Sequence, residues 1–268
     1  MNNLTELISK ASVLMEALPY IQKFRDKIVV IKFGGSAMES LECQESILAS
    51  AAFMDCVGML PVIVHGGGKR ISNRLAEDKI KPVFIKGLRV TDEKTIKVVD
   101  DVLANVINPG IVDSLRKKGS NAIGIRGQTV MTAEKRFEVN EKGEPVDLGF
   151  VGNIISVDTK SIKAALADKV IPVITPLATG TGDELFNINA DDAAAAIATA
   201  LSSKKLVFLS DVPGILRDAD DPESVLTTLK TSDVDELMKK GVIDGGMLPK
   251  VKGAVKALEA GVSKVHII

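Results

Sequence analysis

Residues 28–36 read Ile-Val-Val-Ile-Lys-Phe-Gly-Gly-Ser, and this stretch decides the fold of the 268-residue chain. Four β-branched residues in succession predict a strand that is buried on both faces, which is typical of a parallel sheet. The strand ends near Lys32, and the two glycines after it let the backbone approach a ligand closely. Taken alone, the pattern favours a strand end with a solvated lysine and a flexible turn.

Residues 62–68, Val-Ile-Val-His-Gly-Gly-Gly, repeat this construction. A predicted helix over 39–57 separates the strands and another over 69–78 follows, which is the pattern of a βαβ unit. Two glycine turns at the carboxyl ends of neighbouring strands predict an anion site, and the N-terminus of the second helix favours it further. A nucleotide-binding P-loop is excluded, because Ile63 stands where its first glycine belongs and no Ser or Thr follows Lys69.

Composition and charge exclude several classes of function. Lys and Arg number 34 against 35 Asp and Glu, so the net charge of -1 provides no general attraction to nucleic acid or anionic membranes. Aromatic residues make up 3% of the chain, without any Trp, which weakens base stacking. Cys43 and Cys56 lack metal-ligand spacing and are predicted to be reduced and buried in a helix. With no membrane-spanning run and no signal peptide, we expect a soluble cytoplasmic protein.

The rest of the chain alternates predicted strands and helices, which indicates an α/β fold. A short strand leads into a loop with Arg89, and Thr91 or Asp92 caps a helix over 93–106. Short alternating segments and turn residues over 122–157 predict β-hairpins that cover a substrate. Further elements are predicted, in order, as a helix over 159–168, strands over 170–175 and 206–209, a helix over 232–240 and a strand over 265–268.

Residues 4–25 are predicted to form a helix with one apolar seam, kinked at Pro19. The seam consists of Leu4, Leu7, Ala11, Leu14, Leu18 and Ile21. Two interpretations remain open at this point. Either the helix packs on its own domain, or it is an arm that packs against a second subunit.

Several polar residues have both a structural and a functional interpretation. His65 has no second metal ligand at suitable spacing, so a hydrogen-bonded structural role is favoured over that of a ligand or base. Arg89 is solvated by default, but its planar fork lies where it can bind a carboxylate. Gly245 and Gly246 with Lys250 form a third glycine–lysine turn. Helix capping alone explains the residue types at Asn189, Asp191 and Asp192.

Five motifs occur here in one order: Lys-Phe-Gly-Gly-Ser, His-Gly-Gly-Gly, Gly-Leu-Arg-Val-Thr, Asn-Ile-Asn-Ala-Asp and Gly-Gly-Met-x-x-Lys. Together they resemble the amino-acid kinase family, most closely its branch that phosphorylates N-acetyl-L-glutamate, over roughly residues 13–268. The resemblance implies a three-layer α/β/α sandwich with a mostly parallel open sheet, two lobes and an N-terminal helix. Residues 1–25 would be an oligomerisation helix, 26–200 the amino-acid-substrate lobe and 201–268 the ATP-binding lobe.

The reaction implied by the resemblance is phosphoryl transfer from ATP to the γ-carboxylate of N-acetyl-L-glutamate in arginine biosynthesis, with Mg²⁺ on the ATP phosphates. An attacking carboxylate is already ionised and needs no general base. By analogy, Lys32 and Lys250 stabilise the transferring phosphoryl group and Asp191 holds both ammonium groups. The substrate and its reacting group would contact Gly35, Gly67, Gly68, Arg89 and Asn187. Adenine and ribose would contact Asp211, Val212, Pro213, Gly214, Ile215, Leu216, Val242, Ile243 and Asp244.

The same resemblance implies assembly and regulation. Arginine-inhibited members of the branch join homodimers into hexamers through the N-terminal helix, bind L-arginine at positions matching Tyr20, Lys205 and His266, and are candidates for binding a PII signalling protein. They continue beyond the position of Ile268, so we expect the present chain to bind arginine weakly or not at all. Lys69 also replaces a proline that is usual in the family. The alternatives are a sister kinase for glutamate or aspartate, and a non-catalytic arginine-binding relative.

Overall fold

The computed structural model describes residues 2–139, 143–210, 212, 214–218, 220–221 and 223–268, and the side chains of residues 2–7, 14 and 36 lie outside that description. Two of the turn residues predicted within 122–157, Asn140 and Lys142, therefore fall outside it too. The strands are β1 (Ile28–Phe33), β2 (Leu60–His65), β3 (Phe84–Ile85), β4 (Leu88–Arg89), β5 (Ala122–Ile125), β6 (Met131–Val139), β7 (Pro145–Val157), β8 (Ile171–Ile174), β9 (Leu177–Thr179), β10 (Leu185–Asn187), β11 (Lys205–Phe208) and β12 (Val265–Ile267). The helices are α1 (Asn2–Phe24), α2 (Leu41–Cys56), α3 (Gly68–Glu77), α4 (Glu93–Asp100), α5 (Asn108–Lys117), α6 (Lys160–Ala167), α7 (Ala190–Ala200), α8 (Thr231–Lys239) and α9 (Met247–Glu259).

The centre of the fold is a parallel sheet of six strands in the order β12-β11-β1-β2-β8-β5. Val30 of β1 lies between Leu206 of β11 and Val62 of β2. All three of these side chains are fully buried, as the uninterrupted apolar sequence of β1 predicts. The predicted parallel sheet is confirmed.

The two faces of β1 carry different layers of helices, because successive side chains of a strand point to opposite faces. Val29, Ile31 and Phe33 belong to a core built with α2, α3, α4 and α5. Val30 belongs to a second core, built with α6, α7 and α9. The arrangement is the predicted three-layer α/β/α sandwich, and by the same alternation Lys32 points towards the side of α7.

One long helix supports the sheet between β4 and β5. Asp92 caps it by accepting a hydrogen bond from Thr95 N at 2.7 Å, as predicted. The expected end at residue 106 is wrong, since a π-helical segment, Asp101–Ile107, connects α4 directly to α5. Pro109 in the first turn of α5 has no N–H to donate, and a change of helix type before it accommodates that missing bond.

The β-hairpins predicted over 122–157 are confirmed for β6 and β7, but the start of that range is wrong, because β5 pairs parallel with β8 in the central sheet. Strands β6 and β7 pair antiparallel, and β9 and β10 close them into a small four-stranded barrel. A separate hairpin, β3–β4, packs on the barrel through Leu88, Leu148 and Val151. Arg89 therefore lies on a strand and not in the expected loop.

Helix α1 begins at Asn2 and ends at Phe24, so Pro19 does not terminate it. Five of its large apolar side chains are exposed, namely Ile8, Val13, Met15, Leu18 and Tyr20, whereas Ile21 and Phe24 near its end are partly buried. Predicted seam residues Leu4, Leu7 and Leu14 have side chains outside the description. The end of the helix packs on its own chain through the contact of Phe24 with Lys205, the exposed residues do not, and the arm interpretation stays a prediction.

The remaining observations concern the two cysteines and the apolarity of the helices. Cys43 and Cys56 are free thiols in α2 as predicted, but both are exposed, because the buried face of α2 is formed by Leu48, Ala51 and Ala52. Within the described part of the chain, no helix combines the length and apolarity needed to cross a membrane.

Candidate active site

The two predicted glycine turns meet at the carboxyl edge of the sheet. Gly66 N donates a 2.7 Å hydrogen bond to Phe33 O, which joins the end of β2 to the end of β1. A Cβ on Gly34 would lie 3.3 Å from Gly66 Cα, so the two backbones are nearly in contact. A cleft of about 420 Å³ opens in front of them, between the sheet edge, the β3–β4 hairpin and the start of α7.

All the predicted catalytic and substrate-binding residues except Lys250 line this cleft. They are Lys32, Gly35, Gly67, Gly68, Arg89, Asn187 and Asp191. Apolar lining comes from Ile71, Phe84, Leu88, Leu103 and Val151. The residues come from segments far apart in sequence, so the parallel sheet and the barrel are what bring them together.

Asp191 lies between two lysines. Its Oδ1 is 3.0 Å from Lys32 Nζ and its Oδ2 is 3.5 Å from Lys250 Nζ. The side chains of Asp191 and Lys32 are each 9% exposed, and that of Lys250 is 18% exposed. Buried charges persist when they are paired, and here one carboxylate holds two ammonium groups at the sheet edge.

Asn189, not Asp191, caps α7. Its side-chain oxygen accepts hydrogen bonds from Asp191 N at 2.8 Å and from Asp192 N at 3.2 Å. Asp192 pairs with Arg136 of β6 at 3.1 Å, and burial raises the pKa of its carboxyl despite that partner. Capping therefore does not explain Asp191, whose carboxylate is left for the lysines.

Gly67 and Gly68 place the start of α3 against the cleft. A Cβ on Gly67 would lie 2.7 Å from the terminal methyl groups of both Leu103 and Ile107 of the π-helical segment, so a larger residue there would displace these two side chains. The first N–H groups of a helix have no intrahelical acceptor and attract anions. Lys69 pairs with Glu39 at the mouth of the cleft, so its replacement of the usual proline adds an ion pair there.

Arg89 is buried, which makes the solvated interpretation wrong. Its Nη2 donates to Gly68 O at 2.8 Å and to Ser72 Oγ at 2.9 Å, and its Cζ lies 4.7 Å from the centroid of the Phe84 ring. Nη1 is buried and has no partner among the described residues. Burial lowers the pKa of the guanidinium. Arg89 lines the cleft as a cation held in place with one unused donor, which suits it to bind an anionic ligand.

Thr91 links Arg89 to Asn187. Its hydroxyl donates to Arg89 O at 2.8 Å and accepts a 3.2 Å hydrogen bond from Asn187 Nδ2. The sequence alone suggested only a capping role for Thr91, and Ser72 and Phe84 were not identified from it. The one signal for Ser72 is its position one helical turn after Gly68, which puts it on the same face of α3.

His65 has the structural role that its sequence context favours. Its Nδ1 donates to Gly66 O at 2.9 Å, and its Nε2 accepts from Asn108 Nδ2 at 3.2 Å. Complete burial lowers the pKa of the imidazole to about 4. With both ring nitrogens bonded, His65 has no free atom to act as a base on a substrate.

The described residues among those predicted to contact adenine and ribose lie outside the cleft lining. Asp211 and Pro213 fall outside the described residues. Ile215 and Ile243 are buried in a separate core with Val234 and Val251. The other residues of this set are exposed or partly buried, except the buried Gly214. The nucleotide contacts therefore stay a prediction, with Lys250 in the first turn of α9 as the only described link from this region to Asp191.

The predicted effector residues lie near the end of α1. Lys205 Nζ is 4.5 Å from the centroid of the Phe24 ring, and His266 lies on the neighbouring strand, beside Val207. Burial, followed by the charges of nearby lysines, lowers the pKa of both Lys205 and His266. Tyr20 is exposed. The arrangement leaves the effector role untested.

Comparisons with known proteins agree on one relationship. A model of the amino acid kinase family matches residues 27–268. The acetylglutamate kinase of Heliobacterium modesticaldum is 47% identical, over 97% of this chain and 90% of that protein. The acetylglutamate kinase of Akkermansia muciniphila is 42% identical, over 100% of this chain and 90% of that protein. Among solved structures, smu.665 from Streptococcus mutans is similar with a TM-score of 0.78 and 30% identity, over 90% of this chain and 94% of that chain.

Proposed function

The chain belongs to the amino acid kinase family, and on that premise we propose that it transfers a phosphoryl group from ATP to the γ-carboxylate of N-acetyl-L-glutamate, a step of arginine biosynthesis. The observation that carries the proposal is the carboxylate of Asp191 held between Lys32 and Lys250 beside the glycine turns. The full-length similarity to acetylglutamate kinases selects the substrate.

The chemistry requires charge neutralisation and alignment, not a proton acceptor, because the attacking carboxylate is already ionised. Lys32 and Lys250 stabilise the negative charge that develops on the transferring phosphoryl group, and Asp191 holds both ammonium groups in place. The N–H groups of Gly35, Gly67 and Gly68 bind the oxygens of the phosphoryl group. The fully bonded His65 is consistent with a reaction that uses no general base.

Arg89 binds the α-carboxylate of the amino-acid substrate. Its Nη1 is the buried donor without a partner, while Nη2 is held by Gly68 and Ser72. A substrate carboxylate that bound Nη1 would accept the hydrogen bond for which this buried donor has no partner. Asn187, fixed through Thr91, orients the same substrate.

ATP binds at the sheet edge on the side near α9, and Mg²⁺ accompanies it during phosphoryl transfer. Among the described residues, no group of three His, Cys, Asp or Glu side chains is arranged to hold a metal ion. Phosphate oxygens and water are therefore the donors that fit Mg²⁺ best here. When bound to the phosphates, Mg²⁺ neutralises part of their charge. We assign residues 26–200 to the amino-acid lobe and residues 201–268 to the ATP lobe.

Helix α1 is the assembly element in this proposal. Its exposed apolar side chains suit burial against a second subunit, so the full-length protein forms hexamers and deletion of residues 1–25 leaves dimers. L-arginine binds near Tyr20, Lys205 and His266, and a PII protein is a further candidate partner in the cytoplasm. Sedimentation of both forms, with arginine titrated into each, tests this part. A hexamer that survives the deletion would contradict it.

A substrate screen tests the main proposal. Release of ADP is measured with N-acetyl-L-glutamate, L-glutamate and L-aspartate, with the Lys32→Ala variant as the background control. We expect turnover with the acetylated substrate that far exceeds turnover with the other two. Preference for free glutamate or aspartate would support a sister kinase. Arginine binding without turnover of any acid would indicate a non-catalytic relative.

A further inference from the structure

His65 and Asn108 form a buried polar pair directly behind the glycine turn, and the phosphoryl-transfer proposal gives neither residue a role. Both are almost completely buried. Asn108 Nδ2 donates to His65 Nε2 at 3.2 Å and to Val173 O at 2.9 Å, and His65 Nδ1 donates to Gly66 O at 2.9 Å. Polar groups in such a position cost stability unless they are bonded, so the pair needs an explanation.

The bond from His65 controls the direction of one N–H group. A peptide unit is planar, so the carbonyl of Gly66 and the N–H of Gly67 lie in one plane and point in opposite directions. Gly66 is already held at its own N–H by Phe33 O. Fixing Gly66 O therefore fixes the direction of the N–H group of Gly67, a residue that lines the cleft.

Asn108 in turn controls the tautomer of His65. Val173 O can only accept, so the amide group that bonds it is the NH₂ group, and the same group donates to His65 Nε2. The ring proton must then be on Nδ1, which is the atom that donates to Gly66 O. Asn108 immediately follows the π-helical segment, whose Leu103 and Ile107 also pack against Gly67.

We propose that His65 and Asn108 are positioning residues for phosphoryl transfer. Asn108 fixes the tautomer of His65, and His65 fixes the Gly66–Gly67 peptide so that Gly67 N–H points at the transferring phosphoryl group. The test by turnover rests on the proposed function. The test by amide hydrogen exchange, which measures the order of the backbone, does not.

Two substitutions of His65 separate its two bonds. In His65→Asn, the amide nitrogen can take the place of Nδ1 and donate to Gly66 O, whereas the bond to Asn108 is lost. In His65→Gln, the amide oxygen can take the place of Nε2 and accept from Asn108, whereas the bond to Gly66 is lost. Each variant loses one hydrogen bond, so we expect similar decreases in the unfolding midpoint.

Their activities should differ. We expect kcat with N-acetyl-L-glutamate to stay within about threefold of wild type in His65→Asn and to fall about tenfold or more in His65→Gln, with little change in either KM. Amide hydrogen exchange in residues 66–70 should be faster in His65→Gln than in His65→Asn. Equal losses of kcat that follow stability, together with equal exchange, would overturn the inference.

A remote substitution provides a second test if His65→Gln does not fold. A Cβ on Gly124 of β5 would lie 2.1 Å from Asn108 Oδ1, so Gly124→Ala displaces the asparagine without touching the cleft. Gly110→Ala in α5 is the matched control, because a Cβ there meets nothing within 4 Å. We expect lower kcat and faster exchange in residues 66–70 for Gly124→Ala alone, and wild-type behaviour in both would overturn the inference. If wild type phosphorylates none of the three acids, the proposed function fails, while the exchange comparison still decides the role of His65.

Discussion

Replacing Asp191 by Asn removes one negative charge from between two lysines and leaves the shape of the side chain almost unchanged. Asn189 caps α7, so the substitution does not disturb the start of that helix. At an effective dielectric constant of about 20, unit charges 3.0 Å and 3.5 Å apart attract each other by about 5 kcal/mol per pair. Desolvation opposes this attraction, so the net loss is smaller.

Two consequences follow from the loss of that charge. Lys32 is left buried without its counter-charge, so we expect the free energy of unfolding to fall by about 3–5 kcal/mol. Lys32 and Lys250 then repel each other and lose their orientation. We expect kcat to fall by about 10²-fold or more, nearly as much as when either lysine is removed, because both act on charge that develops during transfer.

The assay combines turnover, measured by ADP release, with unfolding in urea. Asp192→Asn is the matched control, since it makes the same change one residue later and breaks a partly exposed pair with Arg136. The control should lose much less turnover than Asp191→Asn. Normal turnover in Asp191→Asn, or an equal loss in both variants, would refute the role of Asp191 in holding the lysines.

Lys32→Ala and Lys250→Ala should each lower kcat far more than they raise the KM for N-acetyl-L-glutamate, and near-normal kcat in either would contradict the assignment. Arg89→Lys should raise that KM by about tenfold while the KM for ATP stays similar, because lysine keeps the charge but loses the planar fork; a change in the ATP value alone would place Arg89 in the other site. His65 has a folded pKa of about 4 against 6.5 when unfolded, so the unfolded state gains a proton first and stability falls as pH drops between these values. From pH 7 to pH 5, the free energy of unfolding measured in urea should fall by about 2 kcal/mol more in wild type than in His65→Asn. An equal fall in both proteins would refute the buried neutral imidazole.

Those elements that are determined by neighbouring residues could be predicted from the sequence. The apolar run of β1 and the glycines after β1 and β2 predicted a parallel sheet with an anion site at its edge, and Asp92 predicted its cap. The continuation of α4 through the π-helical segment was missed, because Pro109 normally argues against an uninterrupted helix and only tertiary packing favours one here. The exposure of Cys43 and Cys56 was missed because α2 offers few large side chains that mark its buried face.

The site was predicted less completely, because its decisive contacts join distant segments. Capping and catalysis remained equally possible for Asp191 until its distances to Lys32 and Lys250 were available. Arg89 had a solvated interpretation until the structure placed Gly68 and Ser72, 21 and 17 residues away, against its Nη2. No periodicity or spacing encodes such contacts.

The alternation along β1 determines which changes of length the strand can tolerate. Val30 faces α7 and Phe33 faces the opposite helices, so deleting one residue before Lys32 would exchange the faces of the residues that follow. Lysine would then enter an apolar core without a counter-charge, and phenylalanine would point towards Asp191. Deleting two residues shortens the strand but restores the faces. Tolerance to deletions before Lys32 should therefore follow an odd–even rule, in which the loss of one residue is more damaging than the loss of two.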